Sequence, residues 1–236
     1  MLDKDLIKKN FKKGLVSYED NAVIQKKMAS CLAYLIPKRK YNKVLEIGSY
    51  NGFLTRELIK KIDFNSYYAL DIVDSFDYIK NLSSKISFIN CDIEEFLTDE
   101  KFDLIVANAS LQWCNDFEKT INKLKSFLND DGILALSTFA SDNFVEIKES
   151  FGIGLDYLNE DEIKRIFSNC LIENKKDVLK FHSSRELLKH LKLTGVNSIK
   201  KNGFKYRELK EKLKILEEKF ENKLTYSSVY VVFEKK

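Results

Sequence analysis

The residues of this chain that could do chemistry stand at the ends of short apolar runs. The stretch Val44-Leu45-Glu46-Ile47-Gly48-Ser49-Tyr50-Asn51-Gly52 carries a buried-strand pattern into an acidic residue and then two glycines. Leu54, Leu58 and Ile62 follow at helical spacing. Such a strand-to-helix junction aims backbone N–H groups and the positive end of a helix dipole into a crevice. Gly48 and Gly52 would clear side chains from a ligand's approach. The chemistry expected is capture of a nucleotide or of an amino-acid carboxylate. Asp71 closes a second apolar run, about where a doubly wound fold presents an acid to ribose hydroxyls. Asp92 and Ile93 follow a third run, an acceptor beside an apolar cover that suits an adenine, although Asp92 could also cap a helix over 93–97. Asn108 ends a fourth run and opens Asn108-Ala109-Ser110-Leu111-Gln112-Trp113.

These groups need elements to position them. Strands are expected at 43–47, 67–70, 86–90, 102–107 and 133–138, with helices between them, including one around 75–82 and one from Phe117 to Leu128 that Asp130-Asp131-Gly132 ends. Five strand–helix alternations argue a parallel sheet with helices on both faces. Ligands on such sheets bind outside the carboxyl ends of the strands, where Gly48, Asp71, Asp92 and Asn108 all fall. Helices precede the first strand, and Pro37, the only proline, ends them. Beyond Phe139 the alternation stops. Helices are expected at 143–151, 159–167, 183–193 and 204–220, a sixth strand at 177–181, and a last strand at 226–233. The whole reads as a single domain in which 1–37 is a helical cap, 43–139 the ligand-binding core, 140–224 a lid with the sixth strand, and 225–236 the last strand.

Composition sets limits. At 236 residues and 44% hydrophobic content the chain can bury a sizeable core. Cys31, Cys91, Cys114 and Cys170 are scattered without metal-site spacing, the N-terminus lacks a long apolar stretch, and no run approaches a membrane span. A reduced, cytoplasmic compartment is expected, with no metal and no membrane. The formal charge of +4 arises from 40 basic and 36 acidic residues, which is no nucleic-acid footprint. Basic clusters at Lys38-Arg39-Lys40, Lys175-Lys176 and Lys200-Lys201 read as solvated faces, and His182 and His190 as surface residues.

The spacing Glu46-x-Gly48-x-x-x-Gly52 resembles the first motif of class I S-adenosylmethionine-dependent methyltransferases, with Tyr50 where that family usually has a middle glycine. Over nearly its full length the chain is similar to the malonyl-acyl-carrier-protein O-methyltransferases of biotin synthesis. The matching stretches are Tyr18-x-x-x-Ala22-x-x-Gln25, Asn108 to Trp113, Leu136-Ser137-Thr138-Phe139 followed by Phe144 and Glu146, Phe151 to Tyr157, Leu191-Lys192-x-x-Gly195 and Thr225-Tyr226. The resemblance implies a Rossmann-like α/β fold with a seven-stranded, mostly parallel sheet, an antiparallel last strand and a helical lid. It implies that Tyr18, Glu46, Gly48, Ser49, Gly52, Asp71, Ile72, Asp92, Ile93 and Asn108 hold S-adenosylmethionine, and that Gln112 and Trp113 lie near the acceptor. The acceptor implied is the free carboxylate of a malonyl group on an acidic acyl-carrier protein or on coenzyme A. A related type methylates trans-aconitate, and a non-catalytic binding module is the reading that Tyr50 would favour. Nucleic-acid methyltransferases are disfavoured, because a single proline at position 37 leaves no Asn-Pro-Pro-Tyr or Pro-Cys motif.

Overall fold

The computed structural model describes residues 2–168, 170–195 and 206–236. Two helices, α1 (Lys4–Asn21) and α2 (Val23–Leu35), lead into β1 (Lys40–Ile47). Asp3 caps α1 by accepting from the Leu6 N–H, and α2 stops one residue before Ile36, which turns extended ahead of Pro37. Then follow α3 (Phe53–Lys61), β2 (Asp63–Asp71), α4 (Phe76–Ile79), β3 (Ile86–Asn90), β4 (Phe102–Asn108), a 3₁₀ turn (Leu111–Trp113), α5 (Phe117–Ser126) and β5 (Leu128–Phe139). The last third holds α6 (Val145–Phe151), α7 (Glu160–Ile166), β6 (Leu171–Lys180), α8 (Ser184–Leu193), α9 (Tyr206–Glu218) and β7 (Lys223–Glu234).

The seven strands form one sheet in the order β3-β2-β1-β4-β5-β7-β6. β1 to β5 are parallel, and β7 runs antiparallel to both β5 and β6, so β6 points the same way as the first five. Alternate residues of the central strands serve opposite faces. Val44, Leu104, Val106 and Ile133 pack with α1, α2, α3, α8 and α9, while Leu45, Ile105, Ala107 and Leu134 pack with α5 and α7. Both faces are covered, which is why these strands read as continuous apolar runs.

Several boundaries differ from the sequence reading. β5 starts at Leu128 and not near 133, because Phe127 already bonds Phe102 and the Asp131 backbone is left-handed (φ 59°), so Asp130-Asp131-Gly132 is a bulge within the strand. β6 starts at Leu171 and not at 177. It is an edge strand whose Glu173, Lys175, Lys176 and Asp177 break the apolar pattern while protecting the edge. Asp92 heads a turn and no helix, with its carboxylate accepting from the Glu94 N–H at 3.0 Å. α4 is a single turn inside the 75–82 segment. The cluster Lys200-Lys201 and the expected helix start at 204 lie outside the described residues.

Candidate active site

The β1–α3 loop holds Gly48 (φ 72°), Tyr50 (φ 41°) and Gly52 (φ 79°) in left-handed backbone. Four of its amides are already taken: Gly48 and Ser49 donate to the Leu70 carbonyl (2.7 and 3.2 Å), Tyr50 to Asp71 Oδ2 (2.8 Å) and Gly52 to the Ser49 carbonyl (2.7 Å). The space beside the glycines is filled by protein as well. A β-carbon at Gly48 would lie 2.3 Å from that of Ser110, and one at Gly52 3.1 Å from Ile79. The expectation of free amides and cleared space is therefore corrected. The glycines are required by left-handed backbone and by close packing of β4 and α4, and only Gly48 reaches the cleft.

That cleft, of about 710 Å³, opens at the carboxyl ends of β1, β2, β3 and β4. Asp71, Ile72, Asp92, Ile93 and Asn108 line it, as the sequence suggests. Asp71 is 5% exposed, and its two oxygens accept from the Tyr50 and Val73 N–H groups at 2.8 and 2.7 Å. Burial pushes its carboxyl up to about 6 against the pull of those donors. Asp92 is held by Lys4 Nζ at 3.1 Å. Asn108 lies at the rim with its amide spoken for: Nδ2 donates to the Gln25 carbonyl (3.1 Å) and Oδ1 accepts from Ser137 (2.7 Å). Glu46 does not line the cleft. It is 1% exposed and Oε2 accepts from Thr55 Oγ1 and the Tyr67 hydroxyl, both at 2.6 Å. Ser49 is buried behind the loop, and its hydroxyl has no protein partner.

α1 forms the fourth wall. Lys4, Ile7, Phe11 and Tyr18, spaced by three, four and seven residues, turn one face of the helix into the cleft. Only Tyr18 was singled out from sequence, although the Ile7–Phe11–Tyr18 spacing carries the signal. Lys4 also bonds Glu94 at 2.6 Å; burial alone would lower its ammonium, but the bonds to Glu94 and Asp92 prevail and hold it above the ordinary lysine value. Tyr50 packs edge-on to Tyr18 and Phe11, with ring centroids 4.6 and 5.5 Å apart, and its hydroxyl donates to the Phe11 carbonyl at 2.6 Å. The side chain that breaks the glycine pattern thus serves as the tie between loop and α1. Tyr50→Phe is expected to lower the unfolding free energy by about 1 kcal/mol, the usual worth of one neutral hydrogen bond, with fold and sheet intact by circular dichroism.

Gln112 and Trp113 face different spaces. Trp113 lines the first cleft, edge-on to Phe11 at 5.5 Å. Gln112 lines a second cavity of about 870 Å³ at the end of β5, bounded by Thr138, Phe139, Tyr157 and Arg165. Leu111 and Cys114 border both spaces. Gln112 donates Nε2 to the Ala109 carbonyl (2.7 Å), which leaves Oε1 buried without a protein partner. Arg165 pairs with Glu118 at 2.9 Å, as an exposed arginine would, and Arg56 pairs with Glu19 at 3.0 Å. His182 is exposed, but His190 is half-buried with Nε2 2.8 Å from the Tyr226 hydroxyl, and burial lowers its pKa. The surface expectation for His190 is therefore corrected; it faces inward from α8.

The cleft fits an adenosyl ligand with a cationic tail. Two carboxylates stand at successive strand ends, spaced to suit a ribose diol and an exocyclic amine, isoleucines follow each, and buried acid at Asp71 with no ion-pair partner among the described residues favours donors and positive charge. Among the described residues no cluster of three or more histidine, cysteine or acidic side chains could hold a metal ion, and no helix is long and apolar enough to cross a membrane.

Sheet order and strand-end cleft together define a class I methyltransferase. In agreement, the methyltransferase-domain family matches residues 21–201. The YcgJ protein of Bacillus subtilis superposes with a TM-score of 0.66 at 12% identity over 89% of this chain and 98% of that one. The N-methyltransferase NodS of Bradyrhizobium japonicum, solved with S-adenosylhomocysteine, superposes with a TM-score of 0.58 at 14% identity over 97% and 98%. Relatives in sequence are more specific. The malonyl-[acyl-carrier protein] O-methyltransferase of Calditerrivibrio nitroreducens is 39% identical over 82% of this chain and 80% of its own, and that of Acinetobacter baylyi 34% over 83% and 80%. The chain belongs to the malonyl-[acyl-carrier protein] O-methyltransferase family.

Proposed function

We propose that this protein methylates the free carboxylate of a malonyl group carried on acyl-carrier protein, using S-adenosylmethionine, as a step toward biotin in the cytoplasm. The observation that carries the reading is the junction at Leu111 and Cys114, where the donor cleft meets a second cavity that Gln112 and Arg165 line. Similarity over about four-fifths of this chain and of relatives bearing that name supports the acceptor. Asp71 and Asp92 would hold the ribose and the adenine amine, with Ile72 and Ile93 against the ring. Glu46, Ser49, Gly52 and Asn108 would act from behind, by fixing the loop and the strand ends.

When bound, the cofactor supplies a methyl group already activated by its sulfonium. The acceptor carboxylate is ionised at neutral pH, so no general base is required and the protein's task is alignment with water excluded. Groups around the junction suit that task because they stay neutral. Burial raises the Tyr18 and Tyr157 hydroxyls far above neutrality and pushes the Cys114 thiol up to about 12, so Cys114 is no thiolate nucleophile. Gln112 would orient the acceptor, and Arg165, exchanging Glu118 for the substrate, would supply its cation.

The test is incubation of the purified chain with methyl-labelled cofactor and malonyl-carrier protein. Base-labile label on the malonyl group is expected; label transferred to trans-aconitate alone would overturn the acceptor. Because Gln112 and Trp113 face different spaces, their alanine variants should separate. Gln112→Ala is expected to lower kcat about tenfold with the Kd for S-adenosylhomocysteine within twofold. Trp113→Ala should weaken that Kd severalfold as well.

A further inference from the structure

The exposed side of α1 carries Lys8, Lys9, Lys12 and Lys13 on two successive turns, opposite the face that lines the cleft. Among the described residues no carboxylate lies within ion-pair distance of any of the four. Their spacing sets Lys8 four residues from both Lys4 and Lys12, and Lys9 four from Lys13, so like charges confront each other one turn apart, and the exposed Asp5, four residues before Lys9, is paired with neither Lys8 nor Lys9. Other surface helices of this protein do the reverse. Glu160 and Lys164 pair on α7, and Arg207–Glu211, Glu208–Lys212 and Lys214–Glu218 pair on α9, all at four-residue spacing. The charge on α1 is therefore unlike the solvated-helix pattern elsewhere in the chain. α8 extends it: Ser17 Oγ reaches the Leu193 carbonyl at 3.4 Å, and Lys189 and Lys192 are exposed just before that contact.

From this we infer that the lysine face of α1, extended by the end of α8, is a docking surface for an acidic protein, which under the function proposed above is the carrier that delivers the malonyl group. The inference rests on that reading. A carboxylate-rich partner would supply opposite charges to Lys8, Lys9, Lys12 and Lys13, which no ion pair among the described residues takes up, and would be seated on the wall of the donor cleft, beside the junction its arm must reach. A small malonyl thioester has no use for such a surface.

The test compares the full-length protein with K8Q/K9Q/K12Q/K13Q on two substrates, malonyl-carrier protein and malonyl-pantetheine, at about 50 mM salt. Glutamine matches lysine closely in helix propensity, so α1 is retained while its charge is removed. The expected result is a kcat/KM at least tenfold lower on the carrier, within the usual range of electrostatic steering, and within twofold on malonyl-pantetheine. The wild-type advantage on the carrier should shrink as salt rises. Equal losses on both substrates, or none on the carrier, would overturn the docking surface and leave the proposed reaction standing. A wild-type protein that methylates neither substrate would instead remove the reaction, and the docking inference with it.

Discussion

Asp71→Asn is expected to weaken binding of S-adenosylhomocysteine about 100-fold, as measured by calorimetric titration at pH 7.5. Each hydrogen bond to a charged acceptor contributes roughly 1.5–3 kcal/mol, and the carboxylate would accept two from a ribose diol, so the loss of charge alone accounts for about 2.7 kcal/mol. The loop suffers too, because Asp71 accepts from the Tyr50 and Val73 N–H groups, and an asparagine has one acceptor oxygen for two donors. Thermal unfolding of the variant therefore belongs beside the titration, to show that the sheet survives. The wild-type protein carries its own control. The Asp71 carboxyl lies near 6, raised by burial, and the diol needs the ionised form. Affinity should fall as pH drops through 6, approaching tenfold per unit, while the asparagine variant stays flat over the same range. Equal pH dependence in both proteins would count against Asp71 as the ribose acceptor.

The parts of this site legible in sequence are those fixed by strand ends. An apolar run buried on both faces has one readable terminus, and that alone places Asp71, Asp92 and Asn108 at the cleft, while Ile72 comes only with the family resemblance. What escaped reading depends on packing between distant segments. Gly48 looks like a clearing for a ligand until Ser110, sixty residues later, is seen to occupy the clearing. Tyr50 looks like an obstruction until Phe11 is seen to take its hydroxyl. Adjacent residues of one motif, Gln112 and Trp113, diverge into two cavities because a 3₁₀ turn lies between β4 and Cys114. The strand β6 was halved because charges on an edge strand erase the alternation that marks strands within a sheet. Lys4 was missed for a different reason: its partners Asp92 and Glu94 lie some ninety residues away, and nothing local marks the pair.

Glu46→Gln is expected to stabilise the protein at pH 8 and to leave it unchanged near pH 4.5. Glu46 is fully enclosed, and burial pushes its carboxyl from the model-compound value of 4.5 to about 7 although Thr55 and Tyr67 both donate to it. Both side-chain bonds fall on Oε2, and a glutamine imitates the protonated, neutral form of the carboxyl. A folded-state pKa above the unfolded one means that the native chain holds the proton more tightly. The resulting stability is complete below pH 4.5 and is lost as pH rises through 7. A shift of this size corresponds to roughly 3 kcal/mol, or about 6–12 °C in Tm for a chain of this length. Asp71, raised to about 6, adds to the same trend. Glu94 and Asp142 oppose it at the acid end: their carboxyls are held below the ordinary range because lysine bonds outweigh burial, so their contributions are lost as pH falls below 4.5 for Glu94 and below 3.8 for Asp142. The wild-type curve of Tm against pH should therefore peak near pH 5 and decline toward 8, whereas the Glu46→Gln curve should decline less and cross above it. Parallel curves for the two proteins would show that Glu46 is ionised throughout, held so by donors stronger than Thr55 and Tyr67.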